Sequence, residues 1–520
     1  MKARSKARQE TDTSHTLPDW VQDAVFYQVF PDRFARSRDP GLVAAATAYG
    51  APGALEPWEA PPTQNGFKGG DLFGVAERLD ELVDLGVNAL YLNPIFTSAS
   101  NHRYHAYDYL AVDPLLGGDA ALRRLLDEAH ARGIRVVLDG VFNHSGRGFW
   151  PFHHLMETGA ESPYRDWFRL DGDVIAGHRP LNAYPRSGGG QEASLGYQAW
   201  WNLPALPKIN VAHPPAAEYL WSVGEHWLRF GIDGWRLDVP DEIDVPGFWE
   251  TFRARCLAVN PECYFVGEIW EHAPHWLDGR FDGLMNYPLG AAILGFAGAD
   301  HLSRETIAAH NTYRRTIRKL APGAFTEALH QAMGVYPQPT VEAQLNLVGS
   351  HDTPRVHNVM SGDGGAVRLA MLLMLTLPGA PNIYYGDEIG MEGGDDPDCR
   401  RSFPVDPNAG DRELRALVKG LIAARHANPV LRRGTAQVVA SGATAVAILR
   451  SSGEQRAIVA LNPGDAADRL VVPAPTAGRA PVQLALPGWP AAADARLTRG
   501  DDGSLDVELP AQSALVLVSG

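Results

Sequence analysis

A chain of 520 residues with 45% hydrophobic and 21% charged side chains has enough apolar material for a large core and a second domain. Its net charge of −15 and pI near 5.6 argue against a polyanionic partner, which sets nucleic acid aside and favours a neutral or small ligand. No apolar run reaches the roughly 20 residues that cross a membrane, so no membrane partner is expected.

The chain opens with MKARSKARQETDTSHT, basic residues with no apolar segment behind them. This start reads as a disordered tail over residues 1–20 rather than a secretory leader. Cys256, Cys263 and Cys399 form an odd, sparse set without metal spacing, which fits a reducing compartment, and a cytoplasmic location is expected. From Ala24 onward, short β-rich runs alternate with amphipathic stretches. The runs are Ala24 to Phe30, Asn88 to Asn93, Ile134 to Asp139, Ile232 to Asp238, Cys263 to Glu268, Phe281 to Asn286, Ala343 to Gly349 and Pro381 to Tyr385. Helical patterns cover Gly74 to Leu85, Asp119 to Arg132, Glu218 to Phe230, Pro246 to Val259 and Ala366 to Thr376. Eight strand-helix units predict an α/β fold, a TIM (β/α)8 barrel over residues 21–430.

About ninety residues separate the third and fourth strands, more than a crossover helix needs. The segment 145–206, rich in Pro, Gly, His and Trp and including the flexible patch Ser187 to Gly190, reads as an inserted subdomain over the barrel mouth. Beyond Leu431 the pattern changes to short alternating runs, Thr444 to Arg450, Arg456 to Leu461, Val482 to Leu486 and Ala514 to Val518, which predict a C-terminal all-β sandwich over 431–520. Thirteen Trp and sixteen Tyr offer flat rings suited to the apolar faces of sugars, although most such rings fill cores.

Polar residues gather at the C-terminal ends of the strands, where barrel enzymes build their sites. The third strand runs into Asp139-Gly140-Val141-Phe142-Asn143-His144, the fourth ends Arg236-Leu237-Asp238, the fifth Gly267-Glu268-Ile269-Trp270 and the seventh Gly349-Ser350-His351-Asp352. For any one of these a capping or structural ion-pair role is an even alternative. Four carboxylates, two His and an Arg at the same relative position on four strands point instead to one catalytic opening.

These stretches closely resemble the signature regions of the alpha-amylase family, glycoside hydrolase family 13. The likeness extends to Gly69-Gly70-Asp71-Leu72, to Leu206-Pro207-Lys208-Ile209-Asn210 and to the run from Ile383 to Met391. Residue by residue it implies that Asp238 is a nucleophile, Glu268 a general acid/base and Asp352 a stabiliser that grips sugar hydroxyls. A retaining glycosidase needs such a division, with the first two carboxyl groups roughly 5 Å apart. Arg236, two residues before Asp238 and on the same strand face, is expected to keep Asp238 ionised, while burial and nearby charge keep Glu268 protonated. His144 and His351 match histidines that bond sugar hydroxyls, with a local turn the alternative for His144. His102 and Tyr104 match a His and a stacking Tyr of the same subsite, where a lone Tyr would otherwise be core. Asp396 and Arg400 resemble a pair closing the far side of that subsite, with a simple exposed salt bridge as the alternative.

Within the family the Leu-Pro-Lys-Ile-Asn and Asp-Pro-Asp-Cys-Arg stretches are similar to those of the neopullulanase, cyclomaltodextrinase and maltogenic amylase group. The resemblance implies hydrolysis of α-1,4 and some α-1,6 bonds in short linear or cyclic maltodextrins through a covalent intermediate. An exo-acting alpha-glucosidase or a transglycosylase is the alternative enzyme, and an inactive carbohydrate-binding subunit the alternative from another class. Three departures qualify the likeness. The group usually carries a β-sandwich before the barrel, whereas the first strand here begins near Ala24, which bears on dimer-dependent selectivity. Val239-Pro240-Asp241-Glu242 replaces the usual Val-Ala-Asn-Glu, and Arg103-Tyr104-His105 the usual Lys-Tyr-Asp. Calcium is common in the wider family, but Lys208 stands where a ligand Asp often lies, so no cofactor and no obligatory metal are expected. The expected partner is an oligosaccharide; the oligomeric state is left open.

Overall fold

Short apolar runs become strands where both of their faces can be covered, and eight of them do so side by side. The computed structural model describes residues 17–46, 54–175, 177, 181–185, 195–406, 408–473, 481–500 and 504–519. The strands are β1 (Phe26–Val29), β2 (Ala89–Leu92), β3 (Arg135–Gly140), β4 (Gly234–Leu237), β5 (Tyr264–Gly267), β6 (Gly283–Leu284), β7 (Leu345–Asn346) and β8 (Ala380–Tyr384). All pair in parallel in the order β6-β5-β4-β3-β2-β1-β8-β7, and a parallel bridge from Met285 to Leu345 joins the two ends into a barrel. Each overlaps one of the expected runs.

Successive residues of each strand alternate between two cores, as the two-residue strand period requires. Phe26, Tyr91, Val137, Val266 and Leu345 fill the barrel interior. Tyr27, Leu90, Val136, Trp235 and Leu237 face outward into the layer between sheet and helices. On β4 this puts Trp235 and Leu237 outside and leaves Arg236 pointing in, and the same alternation directs Asp238 inward.

The surrounding helices are α1 (Leu72–Glu77), α2 (Leu79–Leu85), α3 (Gly118–Ala131), α4 (Pro214–Phe230), α5 (Phe248–Val259), α6 (Tyr287–Gly298), α7 (Pro322–Gly334), α8 (Gly364–Thr376) and α9 (Arg412–Ala427). The single helix expected over Gly74 to Leu85 is divided at Arg78, whose guanidinium sits over the Phe403 ring at 4.6 Å. The Gly-Gly-Asp-Leu motif has a local explanation. Asp71 caps α1 by accepting from the Gly74 N–H and also holds the Ser37 N–H, each at 2.8 Å, and a Cβ on Gly70 would meet the Pro31 carbonyl at 2.3 Å.

Residues 17–20 depart from the tail expected over residues 1–20. The Trp20 indole donates to the Glu262 carbonyl at 2.9 Å and its ring packs on Phe26 and Tyr264 at the base of the barrel. Residues 1–16 and the Ser187 to Gly190 patch lie outside the described residues. The insert contributes a helix, Trp150–Thr158, and is tied to the barrel rim by antiparallel bridges from His144 to Lys208 and from Phe168 to Ile209.

The C-terminal region holds β9 (Thr435–Ser441), β10 (Val446–Ser452), β11 (Gln455–Asn462), β12 (Asp468–Val472), β13 (Val482–Gln483), β14 (Arg496–Arg499), β15 (Leu505–Leu509) and β16 (Ser513–Val518). They form two antiparallel sheets, β9-β10-β11-β16-β13 and β12-β15-β14, packed about Ile458, Leu470, Val507 and Leu515. Strands β9, β12, β14 and β15 escape the sequence reading: the first three carry few apolar residues among Thr, Gln, Asp or Arg, and the alternation of Leu505–Leu509 spans only five residues. Among the described residues no helix is long and apolar enough to cross a membrane.

Candidate active site

Arg236 is fully buried inside the barrel, and a guanidinium there is tolerable only against carboxylates. Three surround it. Its Nη1 lies 2.8 Å from Asp139 Oδ1 and 2.9 Å from Asp238 Oδ1, and its Nη2 lies 3.0 Å from Glu268 Oε2. Asp139, on β3 directly beside Arg236 of β4, also accepts from the hydroxyls of Tyr91 at 2.7 Å and Tyr104 at 2.8 Å. Glu268, just past β5, accepts from the Val239 N–H and from the Trp270 indole N–H, both at 3.1 Å. Val239 follows Asp238 with φ of +34°, a conformation a β-branched residue rarely adopts, and this strained turn aims its N–H at Glu268.

The electrostatics depart from expectation in one respect. Arg236 does not single out Asp238: its Nη1 donates to both Asp139 and Asp238, and its charge is shared with Glu268 as well. Burial, then the facing charge of Glu268, pushes Asp238 above the ordinary carboxylate range, with Arg236 opposing. Burial lifts Glu268 to about 7, again against the pull of Arg236. Two acids so close titrate as one system, in which a negative charge on either disfavours a second. Asp352 behaves oppositely. Burial would raise it, but the His351 ring, which turns its Nε2–H to it, and the Arg400 guanidinium outweigh that and hold it below the usual range.

His351 is locked on both sides. The Gln28 amide nitrogen faces its Nδ1 at 2.9 Å, which assigns the ring proton to Nε2, and Nε2 faces the Tyr104 hydroxyl at 2.5 Å and Asp352 Oδ2 at 3.1 Å. The Tyr104 and His351 rings are parallel within 1°, offset with centroids 5.3 Å apart. Burial drives both His351 and His144 down to about 3, so each is neutral. His144 Nε2 is a buried atom without a partner among the described residues. His102 accepts the Tyr104 N–H at 3.2 Å through Nδ1, and burial keeps it neutral too.

Asp396 and Arg400 are not an isolated surface pair. Arg400 reaches Asp396 Oδ1 at 2.8 Å, Asp352 Oδ1 at 3.1 Å and the His351 carbonyl at 2.8 Å, and its side chain is 11% exposed. Nine of the ten residues singled out from the sequence thus stand in one connected group on the C-terminal side of the barrel; the tenth, His144, bonds Asn143 and stacks on Trp200. Asp139, Tyr91, Gln28 and Trp270 belong to the group as well. Asp139 and Trp270 lie within the motif stretches; Tyr91 and Gln28 carry only the inward register of β2 and β1.

On the rim beyond Asp238, Lys208 Nζ bonds Glu242 Oε2 at 2.7 Å, while burial, followed by the charges of Glu242 and Glu271, raises Asp241. At the position the resemblance links to calcium, Asn143 offers one buried amide oxygen, while Lys208, where a ligand Asp often lies, spends its ammonium on Glu242. Among the described residues no three His, Cys, Asp or Glu side chains are grouped to hold a metal.

Comparison with known proteins gives a consistent result. The family profile described as alpha amylase, catalytic domain, matches residues 28–418. A cyclomaltodextrinase of Geobacillus thermopakistaniensis is 40% identical over 472 residues, 90% of this chain and 73% of that one. The debranching enzyme of Nostoc punctiforme superposes with a TM-score of 0.84 at 42% identity, covering 97% of this chain and 99% of that chain. A cyclic alpha-maltosyl-(1→6)-maltose hydrolase of Arthrobacter globiformis superposes with a TM-score of 0.80 at 36% identity, covering 97% and 100%.

Proposed function

This chain belongs to the alpha-amylase family of glycoside hydrolases, and from that premise we propose that it cleaves α-1,4 and some α-1,6 glucosidic bonds in short linear or cyclic maltodextrins with retention of configuration. One observation carries the reading: Asp238 and Glu268 share the Arg236 guanidinium while Glu268 rises to about 7, so one carboxyl group is available as an acid near neutral pH.

Asp238 attacks the anomeric carbon and the glycosidic bond breaks as Glu268 gives its proton to the departing oxygen. Water then enters, Glu268 takes its proton, and the glycosyl-Asp238 ester is opened. The Val239 and Trp270 N–H groups keep the Glu268 carboxyl aimed at the leaving oxygen. Asp352, ionised and backed by His351 and Arg400, receives hydroxyls of the cleaved sugar, and His144 Nε2 and the Tyr104 ring bind the same unit. Asp396 and Arg400 close its far side, with His102 behind Tyr104. No step calls for a metal. The enzyme works on intracellular sugar in the cytoplasm, in keeping with its reduced cysteines, all three of which are free and buried.

The names of the relatives favour both ring opening and α-1,6 cleavage. A time course of products from maltotriose, a cyclodextrin, pullulan and cyclic maltosyl-maltose, with Glu268→Gln as control, tests the proposal. Rapid opening of a ring to maltose or maltotriose supports it. Glucose released singly from chain ends with rings untouched replaces it by an exo-acting alpha-glucosidase, and dominance of longer products replaces it by a transglycosylase. No turnover by either protein would leave only a carbohydrate-binding subunit.

A further inference from the structure

Beside the catalytic floor, three flat rings lead out of the site. His144 lies against Trp200 with centroids 5.2 Å apart and planes 14° apart, and Trp200 lies against Trp201 at 4.7 Å and 16°. The first ring is buried, the second half-buried and the third 75% exposed, so the ladder runs from His144 toward solvent. Folding ordinarily covers a Trp ring; this one is displayed.

The display is held in place by the backbone. Trp201 and its neighbour Asn202 take φ of 50° and 55°, left-handed conformations that two consecutive side-chain-bearing residues adopt only under constraint. The turn is pinned by N–H bonds from Trp200 to the Leu206 carbonyl at 3.0 Å, from Leu203 to Trp200 at 2.9 Å and from Leu206 to Leu203 at 2.9 Å. Pro207 then pairs with Ala199, and Lys208 with His144 itself, so the ladder is fastened to the rim at the end of the third strand.

We propose that Trp201, backed by Trp200, forms a stacking platform for an outlying glucosyl ring of the bound glucan, beyond the units flanking the cleaved bond. The inference rests on the glucan-hydrolase reading and adds to it an accessory subsite with Trp201 as its specificity-determining residue. The axial and equatorial C–H groups of a pyranose present an apolar face that an indole covers well, while the hydroxyls at the edge remain in water. The overall charge of −15 disfavours an anionic ligand there and leaves a neutral sugar as the matching partner.

The test uses the full chain carrying Glu268→Gln, which binds without turnover, and measures affinity for maltose, maltotetraose and maltohexaose by calorimetry. Affinity is expected to rise with chain length, and Trp201→Ala to reduce the gain from the longest ligand by roughly tenfold, with Trp201→Phe restoring most of it. An unchanged dependence on length in Trp201→Ala overturns the platform and leaves the catalytic reading intact. An equal loss for all three ligands, maltose included, marks Trp201 as a structural residue and likewise overturns it. Failure of the Glu268→Gln protein to bind any of them overturns the glucan reading and the platform together.

Discussion

A guanidinium facing three carboxylates cannot hold all of them ionised to the same degree, and the chemistry exploits that shortage. With Glu268 at about 7, its protonated, donating form prevails below that pH and is lost above it. The kcat/KM profile is therefore expected to fall on its alkaline side near pH 7, and Glu268→Gln to remove that limb along with roughly 100- to 10,000-fold of kcat. Asp139 touches no substrate in the proposed mechanism; it positions Arg236, Tyr91 and Tyr104. Asp139→Asn is expected to cost about 100-fold in kcat with little change in KM and to shift the alkaline limb, because the guanidinium then leans more on Asp238 and Glu268. Lys208 belongs to this scale too. Because it stands where relatives often have a ligand Asp, dialysis against a chelator is expected to leave melting temperature and turnover unchanged, and loss of either would refute metal independence.

At the scale of the element, β4 shows how little freedom the site's supports have. Gly231 ends α4 with φ of 116°, a turn that favours glycine, and the chain reverses at once into the strand. Gly234 then lies so close to β5 that a Cβ would meet the Tyr264 carbonyl at 2.5 Å. Gly234→Ala is expected to destabilise the fold by about 1–3 kcal/mol, read as a lowered denaturation midpoint, since the obstacle is backbone and cannot turn aside. Gly323, in the first turn of α7 with open space for 4 Å around the place a methyl would take, provides the contrast: Gly323→Ala is expected to be neutral or to stabilise by a few tenths of a kcal/mol up to about 1.

For the molecule as a whole, two buried arginines join barrel to sandwich. Arg450 of β10 donates to the carbonyls of Thr435 at 3.0 Å, Leu431 at 3.0 Å and Arg433 at 3.1 Å, and also to Thr376, the last residue of α8. Arg425 of α9 donates to Leu375 and Leu377 at 3.1 Å and to Leu431 at 2.7 Å. Their charge suits the negative end of α8, though burial, with Arg432 nearby, pushes Arg425 down to about 9. Arg450→Met fills similar space but strands several carbonyls. It is expected to cost about 3 kcal/mol or more of stability while kcat of the folded fraction holds, since Arg450 lies far from the catalytic group in the fold.

Local patterns carried a great deal. Short, nearly continuous apolar runs marked all eight barrel strands, and the polar residues at their C-terminal ends marked the mouth of the site, because both signals repeat within a few residues. Four strands of the sandwich, with few apolar residues among Arg, Asp, Gln or Thr, were not picked out. Which groups meet was decided by closure of the barrel. Asp139 and Arg236 are 97 residues apart in the chain, and Tyr104 and His351 are 247 apart. The division of one guanidinium among three acids, the proton on His351 Nε2 and the elevation of Glu268 all follow from burial and contacts between strands distant in sequence. Those quantities depend on distances across the sheet, which only the folded arrangement sets.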